Sequence, residues 1–547
     1  MAKGTTNTLL LVVLSLAVLL CSLCGCKNAS PNGENGDTPT DSPNQAADLT
    51  FAYTANDSLN PYLAKTKTNQ ELSCLLYDGL IVLGEGYQPQ HRLAREVRIA
   101  GTQVIVTLQE AYFSDGSRVT AADVMTSMKA SMASETLSYG RDFENVKNIT
   151  LGETGGLVIE LNHEDPYFVN FLDFPVYKSG TESQENEDNK HLPPIGSGRY
   201  VYHEEAGSYW LTANPNWIGG AVNIPKIALL NLPDDDAIDH AMHVGTVDWC
   251  YSDLRENRFP NMNGTSQNVP LANLVYVGAN MTSGMMTNSF LRSAISAAIN
   301  RTSLTENAYF GVATPAVGVL PSTLKEVEGL QTIAPTAEDE KTETFFAKAG
   351  FDQMDDQGTR VNQNGRTLSL KLIYNNENPV RESLANLLAA QLGAAGCKIT
   401  LQGLPFDAYR SAISRGHYDL YVGEMQIPDN FDLYPLLTAG GLVTYTHSEP
   451  TASTGGDSFP EQEDADMGSV EENAESQFVT LRAAWRYHNG KGSLTEMVSC
   501  FQQELPIIPI CYRAGMLIYA DSIEGAPTPL AGDPFHGIEL CTVKEQR

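Results

Sequence analysis

Residues 368–401 constrain the fold more than any other stretch of this sequence. Residues 368–374 predict a strand, and Pro379 begins a helix at the first-turn position that favours proline. A stripe of leucines follows the helix, and Gly396 ends it before a second strand at 398–401. Strand, helix and strand in this order predict a βαβ unit, whose strands pair in parallel through a right-handed crossover. The sequence therefore predicts an α/β fold.

The next strand leads into candidate functional residues. After a predicted helix at 406–414, residues 418–423 predict a strand rich in aromatic and branched side chains. The loop that follows carries Glu424, Asp429 and Asp432. Because open α/β sheets bind ligands at the carboxyl ends of their strands, we predict that this loop lies at a ligand-binding edge. The alternative is a solvated acidic loop, which is the commoner role of any single carboxylate.

Other segments outline the rest of the body. Residues 49–55, 104–108, 157–161 and 274–277 predict strands. Residues 505–510 form an extended apolar segment that is suited to return into a core. A chain of 547 residues exceeds one hydrophobic core, so we expect at least two domains.

Charge and motif content exclude several functions. The net charge of −31 repels phosphates, and no basic cluster offsets it, so nucleic acid is not an expected partner. The six cysteines beyond residue 26 are scattered without a CxxC pair, so we expect no metal site and no cofactor. Their even number permits disulfides, although Cys397 and Cys500 lie in apolar patterns that buried thiols also fit.

The N-terminus predicts a targeting segment. Residues 9–20 are almost wholly apolar but short for a membrane span, which makes a transmembrane anchor the weaker alternative. The sequence Leu23-Cys24-Gly25-Cys26 resembles the lipobox of bacterial lipoproteins. We therefore expect a signal peptide at 1–25, lipid on Cys26, and a flexible tether at 26–48.

A second polar stretch, residues 449–477, carries nine acidic residues and no Lys or Arg among Ser, Gly and Pro. Like charges repel one another, so this composition predicts a mobile acidic loop. A calcium site is the alternative, but the spacing of an EF-hand loop is missing.

Several short motifs, taken in order, resemble the extracellular solute-binding proteins of family 5, the lipid-anchored peptide and nickel receptors of ABC importers. The matching residues are Leu59-Asn60-Pro61, Tyr77-Asp78-Gly79-Leu80, Phe113-Ser114-Asp115-Gly116-Ser117 with Thr120-Ala121-Ala122-Asp123-Val124, Ile195-Gly196-Ser197-Gly198-Arg199-Tyr200, Asn214-Pro215-Asn216-Trp217, Gly245-Thr246-Val247-Asp248, Arg292-Ser293-Ala294 with Ala298-Ile299-Asn300-Arg301, and Glu504-Leu505-Pro506-Ile507-Ile508-Pro509.

The resemblance implies a two-lobed periplasmic-binding-protein-like fold of type II, with lobes joined by crossover strands and an extra subdomain in the first lobe. The implied ranges are 49–277 for the first lobe, 79–190 for its extra subdomain, 278–504 for the second lobe and 505–547 for a C-terminal segment that returns to the first lobe. It also implies a location on the extracytoplasmic face of the cell membrane, held by the lipid anchor.

The resemblance also implies roles for single residues. In peptide-binding members, the segment that starts like Tyr418-Asp419-Leu420 leads to an aspartate that pairs with the α-ammonium group of the peptide, and Asp429 matches it by spacing. Asp432 takes the place of a second acid, and Glu424 lies where the family usually has a tryptophan. Asn280, Asn375 and Trp249 lie at strand ends that could hold ligand backbone.

We therefore expect a monomeric binding protein, not an enzyme, that hands a peptide-like solute to the transmembrane permease of an ABC importer. No HExxH motif or nucleophile–base set appears in the sequence, which favours binding over catalysis. Two alternatives remain: a lipoprotein hydrolase that uses carboxylates such as Glu424 and Asp429, and a solute-sensing receptor without a permease.

Overall fold

A mixed sheet of eleven strands organises the part of the chain that the structure describes. The structure is a computed structural model, and it describes residues 48–134, 143–152, 155–184, 192–254, 264–438 and 478–544. All of these residues belong to one compact unit, Pro43–Arg547.

The strands in chain order are β1 (Leu49–Tyr53), β2 (Ile81–Leu83), β3 (Pro89–His91), β4 (Ala94–Ala100), β5 (Gln103–Leu108), β6 (Val146–Leu151), β7 (Leu157–Leu161), β8 (Tyr200–Glu205), β9 (Ser208–Ala213), β10 (Lys226–Asn231), β11 (Trp249–Ser252), β12 (Thr265–Ala279), β13 (Thr314–Pro315), β14 (Gln353–Met354), β15 (Arg360–Val361), β16 (Ser369–Asn375), β17 (Lys398–Leu404), β18 (Leu420–Gln426), β19 (Ile507–Tyr519), β20 (Ile523–Glu524) and β21 (Thr542–Val543). The α-helices are α1 (Lys67–Leu76), α2 (Ala121–Met132), α3 (Asp235–His243), α4 (Ser289–Ala298), α5 (Arg301–Ala308), α6 (Asp339–Lys348), α7 (Pro379–Ala394), α8 (Phe406–Ser414), α9 (Tyr434–Leu437), α10 (Val479–His488) and α11 (Leu494–Glu504).

Three parallel strands, in the order β17-β16-β18, form one end of the large sheet. β16 runs through α7 into β17, and the two strands pair in parallel from Ser369 to Asn375. β18 pairs in parallel with the other edge of β16, where Leu420 lies opposite Leu372. The predicted βαβ unit is confirmed, and the loop after β18 leaves the sheet at the carboxyl end of a parallel strand.

Two long antiparallel strands, β12 and β19, run through the middle of the sheet and join its two halves. Residues 265–270 of β12 pair with the end of β19, which also pairs with β11. The second half of β12 pairs with the start of β19 and with β18. Successive side chains of a strand point to opposite faces, so Leu274 and Tyr276 pack in one core while Val275 and Val277 pack in another.

The other half of the sheet is built on β1. It pairs in parallel with β10 and β11, and β9 and β8 extend the sheet by antiparallel pairing. Phe51 of β1 and Trp249 of β11 pack against Phe535, which follows β19 in the chain. The C-terminal segment therefore contacts the strand with which the described residues begin.

A separate antiparallel sheet, in the order β4-β5-β7-β6, shares a hydrophobic core with α2. The helix begins with a capping box: the Thr120 side chain faces the backbone N–H of Asp123, and the backbone N–H of Thr120 donates to the Asp123 carboxylate at 2.9 Å. The Thr120 hydroxyl lies 2.6 Å from the same carboxylate. The core contains Val124 and Met128, both with 0% exposure.

Three sequence predictions concern ranges outside this description. The signal peptide, the lipid on Cys26 and the acidic loop at 449–477 all lie outside the described residues, so they stay predictions. Within the described ranges, no helix has both the length and the apolar character that crossing a bilayer requires. The six cysteines of these ranges carry free thiols, and Cys397 is buried.

Candidate functional site

The candidate site lies where β18 ends. β18 is buried along most of its length because it lies between β16 and β12, and its close packing needs a glycine. A Cβ atom at Gly423 would lie 2.5 Å from the ring of Tyr276, which packs edge-on against Tyr421 at 5.7 Å. Glu424 was predicted to lie in the loop, but it belongs to β18 itself, opposite Val275 of β12, so the strand positions it.

Glu424 bridges two arginines from different elements. One carboxylate oxygen accepts a hydrogen bond from Nη1 of Arg513 in β19, at 2.7 Å. The other accepts from Nη2 of Arg381, which lies in the first turn of α7. The side chains of Arg513 and Arg381 are 8% and 12% exposed, so both ion pairs are largely shielded from water. Such charge-assisted hydrogen bonds are stronger than neutral ones.

A small recess adjoins this charged triad. Nη1 of Arg381 also donates to the hydroxyl of Tyr309 at 3.0 Å, and burial raises the pKa of that phenol to about 12. The recess is mainly apolar and narrow, with about 10 Å³ of free space, roughly the room of a single water molecule. It is lined by Leu254, Ala308, Tyr309, Val312, Ala313, Val380, Arg513 and Ala514.

The same triad reaches the half of the sheet built on β1. Nη2 of Arg513 donates to the carbonyl of Asp253, just after β11, at 2.6 Å. The carboxylate of Asp253 pairs with Lys67 of α1 at 2.5 Å. A continuous path of hydrogen bonds and ion pairs thus connects α7, β18 and β19 with α1 and β11.

The loop after β18 is held from the opposite side by residues 163–170. Nδ2 of Asn170 donates to the carbonyl of Asp429 at 2.8 Å, and Nδ2 of Asn430 donates to Asp165 at 2.9 Å. Phe431 is fully buried, although its φ of +62° lies in the left-handed region.

Two tyrosines enclose that phenylalanine. The ring of Phe431 lies 5.2 Å from Tyr87 and 5.1 Å from Tyr167, edge-on to both. The charge of Asp429 and, more strongly, burial raise the pKa of Tyr87. Asp429 therefore lies beside an aromatic cluster that shields it in part from water.

Asp432, 7% exposed, anchors the end of this loop. Its carboxylate lies 2.6 Å from Nδ1 of His488 at the end of α10. Burial lowers the pKa of His488, but the hydrogen bond and charge of Asp432 outweigh burial, so the net shift is upward. The ring of His163 lies 5.0 Å away, tilted by 48°, and burial and the charge of His488 lower its pKa. Burial raises the pKa of Asp165 to about 6.

We expect Asp432→Asn to lower the free energy of unfolding by about 1–2 kcal/mol near pH 6, since hydrogen bonds to charged groups contribute about that much when partly exposed. The pKa of His488 is raised in the folded state, so the pair contributes fully below the unfolded-state pKa of about 6.5. That contribution is lost as pH rises through the folded-state pKa. Urea unfolding between pH 5.5 and 9 should show that the difference in free energy of unfolding between the wild type and Asp432→Asn decreases as pH rises. The exposed control Asp356→Asn should have the free energy of unfolding of the wild type at each pH. A difference in free energy of unfolding that stays constant over this pH range would contradict the expected role of His488.

The remaining predicted residues serve the scaffold in this structure. Asn280 is 2% exposed, and its amide donates to the carbonyls of Gly416 and Tyr418 at 3.1 and 3.0 Å. The Oδ1 atom of Asn375 accepts from the backbone of residue 377 at 3.0 Å. Trp249 is 2% exposed within the aromatic core around β1. Of the predicted residues, Glu424 contacts Arg381 and Arg513. Asp429 and Asp432 lie together in the loop after β18, where they contact Asn170 and His488.

Sequence reasoning missed both arginines and His488. The sequence did contain a clue to the role of Arg513, because this residue is a lone cation inside the apolar segment 507–519. The sequence contained no such clue to Arg381 or His488, since a charged residue in the first or last turn of a helix is ordinary. Across the described residues, no group of three or more His, Cys, Asp or Glu side chains is placed to hold a metal ion.

The fold and the site define a class of protein: a two-lobed α/β binding protein with Glu424 held between two arginines where its halves meet. The family model described as bacterial extracellular solute-binding proteins, family 5 (middle) matches residues 86–441. This match covers more than half of the chain, and the chain belongs to that family.

Individual relatives are distant but span most of the chain. The oligopeptide-binding protein AppA of Bacillus subtilis (strain 168) is 22% identical over 455 residues, which are 78% of this chain and 83% of AppA. The oligopeptide-binding protein OppA of the same organism is 19% identical over 98% of this chain and 99% of OppA. The unliganded open form of MppA, a periplasmic murein tripeptide-binding protein, superposes with a TM-score of 0.67 at 18% identity, over 90% of this chain and 97% of MppA. The predicted two-lobed, periplasmic-binding-protein-like α/β fold is confirmed.

Proposed function

We propose that this chain is the substrate-binding component of an ABC importer, which captures a peptide-like solute between two lobes and delivers it to the transmembrane permease. Family membership supports the transport role, and the relatives named for oligopeptides and a murein tripeptide support the solute class. One observation carries the proposal most: the acidic loop after β18 and the charged recess both lie where segments remote in sequence meet.

We take the first lobe as residues 49–277 with 505–547, its extra subdomain as 79–190, and the second lobe as 278–504. With these boundaries, the hydrogen bond from Asn170 to Asp429 joins elements of different lobes. The hydrogen bond from Arg513 to Asp253 likewise joins segments that are far apart in the chain. A solute can stabilise a closed arrangement of the lobes only through contacts that the open form lacks.

The contacts of Glu424 favour binding over hydrolysis. A general acid or base must reach a reacting atom with its proton or lone pair. Both carboxylate oxygens of Glu424 accept hydrogen bonds from arginines, which suits a positioning or recognition role. Stoichiometric capture of peptide without product is therefore the expected behaviour.

Within the site, Asp429 is our candidate partner for the α-ammonium group of the solute. It lies beside Tyr87 and the ring of Phe431, in surroundings that burial makes less polar than water. A carboxylate in such a place forms a strong charge-assisted hydrogen bond with an ammonium group. Asp432, paired with His488, would shape the loop that presents Asp429.

Native mass spectrometry of the full-length protein tests the function, because the measured mass of a retained solute would identify it. The same spectrum would report whether Cys26 carries lipid, as expected for a monomer held on the extracytoplasmic face of the cell membrane. Recovery of the protein with hydrolysed products of added peptide, and with no bound peptide, would favour the hydrolase alternative instead.

We expect Asp429→Ala to weaken binding of a retained free-amine peptide about ten- to hundredfold, since a hydrogen bond to a charged group contributes about 1.5–3 kcal/mol. Isothermal titration calorimetry measures the change, with the exposed Asp356→Ala as matched control. An unchanged affinity in Asp429→Ala would show that this carboxylate does not bind the ammonium group.

A further inference from the structure

A buried asparagine of the extra subdomain, Asn170, contacts the loop after β18. It is 1% exposed and lies in a 3₁₀-helix, Phe168–Phe171, whose two phenylalanines pack in the core that α2 shares with the four-stranded sheet. A buried amide costs free energy unless its donors find acceptors. Its Nδ2 atom donates to the backbone carbonyl of Asp429, 259 positions away, at 2.8 Å. The acceptor that satisfies this amide therefore comes from the other lobe.

A second hydrogen bond runs in the opposite direction across the same contact. Nδ2 of Asn430 donates to the carboxylate of Asp165 at 2.9 Å, and Asp165 is 5% exposed. The other oxygen of that carboxylate accepts from the backbone N–H of Tyr167 at 2.9 Å, which fixes the carboxylate within its own segment. Each segment thus supplies one amide donor and one acceptor, and the two interlobe bonds together form an amide clamp.

The second lobe also contacts this segment through the turn between α10 and α11. Gly490 in that turn has a φ of +65°, and an added Cβ atom would lie 2.8 Å from the carbonyl oxygen of Glu164. Near the end of α10, the hydroxyl of Tyr487 donates to the carbonyl of Asn430 at 2.8 Å. The amide clamp therefore belongs to a close contact between the extra subdomain and the second lobe.

The loop that the clamp holds has a strained backbone. Phe431 has a φ of +62°, a conformation that is costly for a bulky residue other than glycine. Its N–H donates to the carbonyl of Pro428 at 2.8 Å, which closes a turn around Asp429 and Asn430. Such strain persists only where the surroundings determine the conformation. The two bonds of the clamp act on the two residues inside the turn, so they contribute to holding it.

We propose that Asn170 is a positioning residue for Asp429. The peptide group between residues 429 and 430 is planar, so a bond to its oxygen fixes the direction in which the side chain of Asp429 leaves the backbone. The extra subdomain thereby takes part in recognising the amine of the solute, although Asp429 belongs to the other lobe. This inference rests on the proposed function, in which Asp429 pairs with the α-ammonium group of a peptide-like solute.

The test measures the preference for free amines. The full-length protein is incubated with a mixed-sequence peptide pool, half of it N-acetylated, and the retained peptides of each form are quantified by mass spectrometry. Asn170→Asp keeps the shape of the side chain, but its carboxylate cannot donate to the carbonyl of Asp429 and repels it. We expect the wild type to prefer free amines and Asn170→Asp to lower that preference about tenfold, because a displaced Asp429 loses its charge-assisted hydrogen bond.

A matched control makes the same chemical change at another buried asparagine. Asn69 is 0% exposed, and its Nδ2 atom donates to the carbonyl of Thr54 at 2.9 Å within the first lobe. Asn69→Asp should leave the preference for free amines as in the wild type, even where it lowers stability.

Asn430→Ala tests the clamp from the other side. It removes the bond to Asp165 at a position that is only partly buried, and it should also lower the preference for free amines. Thermal unfolding of each variant reports whether it is folded. If Asn170→Asp does not fold, Asn430→Ala decides the point.

Each outcome decides a different point. An unchanged preference in the folded clamp variant would overturn the positioning role and leave peptide capture standing. Equal loss of free and acetylated peptides, or the same loss of preference in Asn69→Asp, would also overturn it, because a general defect would then be the cause. A wild type that retains both forms equally would overturn this inference and the role of Asp429, but not peptide capture. A wild type that retains no peptide would overturn the inference together with the proposed function.

Discussion

Replacement of Arg199 by methionine is expected to lower the free energy of unfolding by about 3–5 kcal/mol, the usual cost of leaving a buried charge without its partner. Arg199 is 3% exposed and lies 2.5 Å from Asp533, with Glu539 at 3.2 Å. Its Nη1 atom also donates to the carbonyl of Cys74 at 3.2 Å. Methionine fills much of the volume but leaves two carboxylates and a carbonyl without this cation.

Urea unfolding measures this effect, and two further variants identify its cause. Arg366→Met changes an exposed arginine and should alter stability by less than about 0.5 kcal/mol. The double variant Arg199→Met/Asp533→Asn should recover part of the loss, because one of the stranded charges is gone. A double variant less stable than Arg199→Met would show that lost packing, not the unpaired charge, dominates.

Gly198→Ala is expected to cost about 3 kcal/mol, at the upper end for overpacking. A Cβ atom there would lie 2.4 Å from the carbonyl carbon of Leu76 and 2.6 Å from the carbonyl oxygen of Leu75. These are backbone atoms at the end of α1, so relief requires moving the helix rather than turning a side chain. The N–H of Gly198 also donates to Leu76 at 3.0 Å, which any such movement would weaken.

A matched glycine provides the control. Gly393 lies inside α7, and a Cβ atom added to it would meet no other atom within 4 Å, so Gly393→Ala should raise stability by about 0.5–1 kcal/mol. Thermal or urea unfolding of both variants compares the same chemical change in two surroundings. Similar effects of the two substitutions would show that the approach to α1 does not require glycine.

These two predictions give a physical meaning to one of the motifs behind the family resemblance. The glycine of Gly198-Arg199 allows α1 to approach the start of β8, and the arginine ties that place to the C-terminal segment through Asp533. Sequence inspection showed only that the motif was present. Its role depends on contacts between distant parts of the chain, such as the 334 positions that separate Arg199 from Asp533.

In the candidate site, too, some features were predictable from the sequence and others were not. The position of the loop after β18 was predictable, because the alternation of strands and helices around residues 368–426 is local. The contacts of Glu424 were not, since Arg381 and Arg513 come from elements 43 and 89 positions away. The same holds for Asp432, whose partner His488 lies 56 positions on.

The sequence by itself determined the parallel end of the sheet, with its βαβ unit, and the place of the acidic loop, because hydrophobic periodicity and turn residues act over short distances. It predicted only 274–277 and 505–510 of the two strands that join the halves, whereas the structure extends them to Thr265–Ala279 and Ile507–Tyr519. Polar residues and Pro270 obscure the pattern of β12, so its pairing with β19 supplies the order that local sequence does not. Only the tertiary structure decided that Glu424 lies between Arg513, which is buried, and Arg381, which is largely shielded, because burial of charge depends on which distant side chains the fold brings together.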